Sequence, residues 1–341
     1  MVLAITTPLF AQEDVVQAEI IEGDSTQAYK HYNTGIERFS QKQYKAAIAE
    51  FDEAIKLKPE FEKAYFNRGM TFYEIEQFEK AIKDFDQSIS LGDGAESYYY
   101  RARIKNQSGD VDGALSDYNA SLERNKNHPQ SYYYRGCLHF QKSEYQEALD
   151  DFNAAIKIKS NYAYAFNDRG STKRMLDDID GAIMDYKKAI ATDNSMAFAH
   201  NNLGSAYRKK GNYQEAIRSY SVAISLDSKY TIAYNNRGSA KFDAEDFKGA
   251  IADYSKAIEI DKNYKFALNN RAAAKFKTGD YKGCVADCDA AIALDADYGY
   301  AYLNRGNAKE LLRDEKGACE DWHMAVSKGA EGAKSNLSIC Q

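Results

Sequence analysis

The strongest constraint on this chain is a spacing. Gly35, Gly69, Ala102, Gly136, Gly170, Gly204, Gly238, Ala272 and Gly306 follow one another at intervals of 34, 33, 34, 34, 34, 34, 34 and 34 residues. The context they share is clearest in Ala233 to Tyr264, AYNNRGSAKFDAEDFKGAIADYSKAIEIDKNY. A fixed period of this size marks a chain built from one small supersecondary unit copied in tandem. Nine copies, from about Ala28 to Gly332, span about nine tenths of the 341 residues. Such a chain has no single-core size limit, because each copy need touch only its neighbours.

Within one copy, Ala233, Tyr234 and Ala240, then Ala250, Ile251, Tyr254, Ala257 and Ile258, recur at helical steps. They predict two helices, Ile232 to Asp243 and Phe247 to Ile260, around the polar turn Ala244-Glu245-Asp246. Gly109, Gly211 and Gly279 enter the equivalent turns, and three Pro in the whole chain suit a largely helical protein. The Gly of the first helix and an Ala of the second (Ala47, Ala81, Ala114, Ala148, Ala182, Ala216, Ala250, Ala318) leave room for close helix approach. Four residues after that Ala comes a ring: Phe51, Phe85, Tyr118, Phe152, Tyr186, Tyr220, Tyr254 and Trp322. One hairpin cannot bury both faces, so neighbours must complete its core.

Period, layout and these small-residue and aromatic slots resemble the tetratricopeptide repeat family, whose signature positions are filled by Tyr234, Gly238, Ala250, Tyr254 and Ala257. The family's Leu before the Gly is usually Arg here, and its junction Pro survives only as Pro59. The resemblance implies an all-α fold, a right-handed solenoid superhelix of antiparallel helix pairs. Its concave face, lined by the first helices, would take an extended peptide or protein partner. The expected organisation is a signal-like segment (1–12), a lead-in (13–27), nine repeats (28–332) and a capping helix (330–341). The stripe Ala330, Ala333, Leu337 and Cys340 defines that cap. The single 33-residue interval, at Ser90–Ser97 with Gly92 and Gly94, predicts a local irregularity in stacking.

Comparison among copies exposes a pairing. Arg68, Arg101, Arg135, Arg169, Arg237, Arg271 and Arg305 precede the small residue, and the same copies carry Asp84, Asp117, Asp151, Asp185, Asp253, Asp287 and Asp321. In the sixth copy both change together, to Leu203 and Ser219, and the first has Thr34 with Glu50. Joint loss predicts Arg–Asp ion pairs between helices, since a guanidinium can grip a carboxylate with two hydrogen bonds.

On the positions that the resemblance places on the concave face, two zones differ. The first four copies present Tyr29, Tyr32, Phe39, Phe66, Tyr73, Tyr99, Tyr133 and Phe140; the next four present Asn167, Asn201, Asn235 and Asn269 in one slot. The Asn series is similar to the ladder of the O-linked N-acetylglucosamine transferase superhelix, which implies amides gripping a peptide backbone. An amide both donates and accepts, as a peptide unit does. The plainer expectation is that these Asn bond neighbouring helices and the rings fill inter-repeat core. The runs Tyr98-Tyr99-Tyr100 and Tyr132-Tyr133-Tyr134 cannot point wholly inward, because neighbours on a helix lie 100° apart. The Lys that related chaperone-binding domains use to clamp a carboxylate is absent from the Asn slot.

A net charge of −6, from 45 basic and 51 acidic residues spread along the chain, gives no footprint for nucleic acid. No apolar run is long enough to span a bilayer. His31, His128, His139, His200 and His323 are scattered, and no phosphate loop or paired catalytic carboxylates occur, so no catalysis, cofactor or metal is expected. Five cysteines without paired spacing do not read as a disulfide framework, and Cys284 with Cys288 replace packing residues as buried thiols. Residues MVLAITTPLFAQ resemble the apolar and cleavage regions of a signal peptide without its basic start, so the expectation is export, with a cytoplasmic chain as the alternative. The functional expectation is a non-catalytic scaffold for a protein or peptide partner. The alternative is a structural spacer or self-assembling module.

Overall fold

The computed structural model describes residues 26–92 and 94–340, so the signal-like segment and nearly all of the lead-in lie outside the described residues. Among the described residues every regular element is helical. The chain forms two compact units, 1–176 and 177–341. The first holds α1 (Gln27–Ser40), α2 (Tyr44–Leu57), α3 (Glu62–Glu74), α4 (Phe78–Leu91), α5 (Ala95–Gln107), α6 (Val111–Arg124), α7 (Pro129–Gln141), α8 (Tyr145–Ile158) and α9 (Ala163–Met175). The second holds α10 (Ile179–Thr192), α11 (Ala197–Lys209), α12 (Tyr213–Leu226), α13 (Thr231–Asp243), α14 (Phe247–Ile260), α15 (Lys265–Lys277), α16 (Tyr281–Leu294), α17 (Gly299–Leu311), α18 (Glu315–Ser327) and a 3-10 helix, Glu331–Ile339. Within each unit odd- and even-numbered helices pair as hairpins, and each hairpin packs on the next.

The small residue in the first helix explains the hairpin. A Cβ on Gly238 would lie 2.8 Å from the Tyr254 ring, and one on Gly204 equally close to Tyr220. The ring slides under the bare backbone and is sealed, as Phe51, Phe85, Tyr118 and Phe152 also are. Burying one such side chain contributes about 2 kcal/mol. Where the slot holds Ala272, the facing residue shrinks to Cys288. Each hairpin turn needs one residue in the left-handed region: Gly109, Gly211 and Gly279 supply it without strain, whereas Lys42, Glu76, Ser143 and Glu245 adopt it as non-glycines. The α4–α5 junction is one residue shorter than those of α2–α3 and α6–α7, and there Ser88 and Ser97 share a 2.7 Å hydroxyl bond.

The Arg slot stitches both within and between hairpins. Arg68 donates Nε and Nη2 to Asp84 at 2.8 and 2.7 Å, and its Nη1 reaches Asp52 of the preceding hairpin at 2.5 Å. The same fork joins Arg101 to Asp117, Arg135 to Asp151, Arg237 to Asp253, Arg271 to Asp287 and Arg305 to Asp321. The backward Nη1 bond goes to Asp86, Asn119, Ser221, Ser255 and Asp289 in turn. Arg169 makes the same backward bond to Asn153, while Asp185 belongs to the second unit. Burial lifts the Asp84 and Asp151 carboxyls above the ordinary range, and their Arg partners only partly offset it. Lys105, Lys241, Lys275 and Lys309 add a second cation to their repeats' Asp.

At the C-terminal end, Ala330, Ala333 and Leu337 pack on Tyr302, Trp322 and Ala325, and Asn336 donates to Asn307. Against the expectation that the cysteines form no disulfide framework, Cys319 and Cys340 form a disulfide, with Cα atoms 5.6 Å apart. It is a single staple between the last helix and the cap. Cys137, Cys284 and Cys288 are free and buried.

Candidate functional site

The first-helix face differs between the units. In the first, most of the expected rings are core: Tyr32, Tyr73, Tyr99, Tyr133 and Phe140 are buried, while Tyr29, Phe39 and Phe66 are half-buried. Tyr29 meets Phe61 at 4.8 Å and takes a hydrogen bond from Lys58, Phe39 meets Tyr44 edge-on, and Phe66 lies 6.1 Å from Tyr100. In the Tyr triplets the first ring is the outer one: Tyr98 lies against Arg101 and Arg124, and Tyr132 against Arg135. Tyr133 donates to the buried Asp168 at 2.8 Å, and Asn167 donates to its other oxygen at 2.9 Å. Burial pushes the Asp168 carboxyl up to about 7 against those two bonds. The Tyr118 hydroxyl is buried without a partner among the described residues, whereas its counterparts Tyr220 and Tyr254 donate to Ser205 and Ser239.

In the second unit the slot is an amide in three copies, Asn201, Asn235 and Asn269, and Leu303 in the last. Asn201 accepts at Oδ1 from Asn236 Nδ2 (3.0 Å), Asn235 from Asn270 (3.0 Å) and Asn269 from Asn304 (2.9 Å). These bonds link one hairpin to the next and fix which way each amide points. Among the described residues the Nδ2 groups of Asn201, Asn235 and Asn269 have no hydrogen-bond partner. Each carbonyl is therefore spent between hairpins, and the three side chains are buried, at 5%, 5% and 8% exposure.

Beside this row opens a cavity of about 200 Å³, lined by Arg208, Ser239, Phe242, Asp243, Tyr254 and Asn270. Arg208 Nε donates to Asp243 Oδ2 at 2.5 Å. Burial opposes the guanidinium's charge, but Asp243 outweighs it and holds the Arg208 pKa above its ordinary value. Burial raises the Tyr254 hydroxyl to about 12, keeping it neutral. Sequence reasoning missed this cavity, although a signal existed. Four residues after the small slot of one copy and five after that of the next, Arg208 and Asp243 are the sole opposite-charge combination.

Among the described residues no group of three or more His, Cys, Asp or Glu side chains could hold a metal, and no helix is long and apolar enough to cross a membrane.

Comparison with known proteins places this architecture. Profiles described as TPR repeat match residues 35–75 and 204–244, and profiles described as Tetratricopeptide repeat match 129–162, 231–264 and 62–91. The chain is a tetratricopeptide repeat protein. A tetratricopeptide repeat protein from Parabacteroides merdae is 19% identical, with a TM-score of 0.58 over 72% of this chain and 98% of that one. MamA is 27% identical over 48% of this chain and 96% of its own, at a TM-score of 0.44. YrrB, titled a TPR protein with an unusual peptide-binding site, is 23% identical over 54% of this chain and 95% of its own, at 0.48. No protein of curated function matches in sequence. Tetratricopeptide repeats serve as protein-interaction scaffolds, and the fold by itself names no partner.

Proposed function

We propose that this tetratricopeptide repeat protein is a non-catalytic scaffold that holds an extended segment of a partner protein along its first-helix face. The observation that carries this reading is the row of Nδ2 groups on Asn201, Asn235 and Asn269 left without a partner among the described residues, since each Oδ1 is taken by the next hairpin. Helices that pack at about 8–10 Å and an extended chain rising about 3.3 Å per residue would bring a backbone carbonyl to each donor roughly every third residue.

Changing Asn201, Asn235 and Asn269 together to Asp keeps each Oδ acceptor and removes each donor. Peptides selected from a displayed random library on the intact chain should bind that variant at least about tenfold more weakly by fluorescence anisotropy, each lost donor being worth about 1 kcal/mol. Unchanged affinity in a variant of unchanged circular dichroism would defeat the donor row.

We also propose that the protein works outside the cytoplasm. The disulfide Cys319–Cys340 and the apolar start at residues 1–12 support this, since such bonds persist in oxidising compartments. Alkylation of thiols in fractionated cells, followed by mass measurement, should find these two cysteines joined and the protein in the extracytoplasmic fraction. A second reading, self-assembly, draws on Ile232, Phe266 and Tyr300, one slot in successive copies, exposed at 39%, 46% and 59%. Sedimentation across concentrations tests it, and a constant monomer mass rules it out.

A further inference from the structure

The cavity beside Asn235 and Asn270 is a site of unusual make-up for its position. Other neighbouring copies place rings, amides, aliphatic side chains or unmatched charges there, such as Phe140 with Met175 or Phe276 with Leu311. Only here do both members become a matched ion pair, a coordinated change that inter-repeat packing does not require. At about 200 Å³ the space suits one side chain rather than a small-molecule ligand, whose sites begin at about 300 Å³.

Its free hydrogen-bonding capacity decides which side chain. Arg208 uses Nε on Asp243 and keeps its Nη hydrogens. Asp243 keeps Oδ1, Asn270 gives Nδ2 to Asn235 and keeps Oδ1, and the Tyr254 hydroxyl donates to Ser239 and keeps its lone pairs. The cavity lining thus carries both spare donors and spare acceptors. Its two charges touch, so a carboxylate or an ammonium drawn to one would be repelled by the other and would lose its hydration for little net attraction. A neutral group that accepts and donates at once suffers neither cost. Phe242 gives an apolar wall for a short methylene stem.

We propose that this cavity takes the primary amide of a glutamine or asparagine side chain on the bound partner segment. The proposal rests on the scaffold reading above and adds specificity to it: the amide carbonyl meets the Arg208 Nη groups, and its NH2 meets Asp243, Asn270 or Tyr254.

The test selects a displayed library of random peptides on the full chain and on the variant Arg208→Phe with Asp243→Met, the pair that Phe140 and Met175 already form elsewhere. Glutamine or asparagine should be enriched at one position on the native chain, and not on the variant. In a synthetic peptide from that selection, replacing the amide residue by Glu, Lys or norleucine should weaken binding to the native chain by about tenfold, for one or two lost hydrogen bonds. That measurement needs no variant to fold. Enriched peptides with no amide preference, with an acidic or basic one, or with a preference that survives in the variant overturn the cavity assignment and leave the scaffold standing. If no peptide is enriched on either chain, the scaffold reading falls and this one with it.

Discussion

The two units solve one problem with different chemistry. In the slot three residues before the small position, the first unit sets Tyr32, Phe66, Tyr99 and Tyr133 and then Asn167; the second sets Asn201, Asn235 and Asn269 and then Leu303. The rings weld neighbouring hairpins by contact area, as Tyr99 does against Tyr134 and His128 of the next hairpin. The amides weld theirs by one hydrogen bond per junction. A junction of rings buries a large apolar area. A junction of amides leaves each Nδ2 over, and it is these donors that the scaffold reading proposed above assigns to a partner segment.

The sharpest way to break this comparison is to truncate one member of each kind. Tyr99→Ala should lose about 3–5 kcal/mol, as large aromatic deletions do. Asn235→Leu should lose about 1–3 kcal/mol by orphaning the Asn270 amide. Thermal melts of the two variants in parallel would decide it, and equal losses would erase the distinction.

Next in size is a pH effect at the carboxyl that ends the aromatic zone. The folded pKa of Asp168 is raised to about 7 from 3.8. Its stabilising contribution is therefore full below about pH 4 and fades as pH rises through 7. Asp168→Asn, the residue that Asn202, Asn236 and Asn270 supply in later copies, should match the native chain near pH 4. At pH 8 it should exceed it by up to about 4 kcal/mol. Melts that stay parallel across that range would remove the buried-acid account.

The Arg–Asp fork gives a third contrast. Ser219→Asp alone should destabilise the sixth copy by about 1–3 kcal/mol, the cost of a buried carboxylate without its partner, and adding Leu203→Arg should recover most of it. Equal melting of single and double variants would defeat the pairing. Smallest is Tyr118→Phe, which removes a buried hydroxyl that has no partner among the described residues and should be neutral or stabilising by up to about 1 kcal/mol. Tyr254→Phe, which breaks the bond to Ser239, should cost about 1 kcal/mol instead.

The hairpin and its stacking were legible in the sequence because the residues that make them recur at fixed offsets: Gly238 under Tyr254, repeated nearly unchanged. The Arg–Asp positions were visible because Leu203 and Ser219 change together. The direction of each Asn was not, since it depends on a second Asn 35 residues on, in the next hairpin. The staple Cys319–Cys340 was hidden because its spacing has meaning only once the cap folds back on Trp322. The cavity draws on four helices, so no single repeat displays it.

The backward reach of each arginine makes the chain directional. From Arg68 to Arg305, Nη1 points to the hairpin before, never to the one after. Trimming hairpins from the C-terminal end takes each arginine away with its own anchor and strands none. Trimming from the N-terminal end leaves the new first arginine reaching for a residue that is gone. Shortened versions of equal length should therefore differ in how firmly their outermost hairpin is held, and the frayed end should be the one that has lost its predecessor.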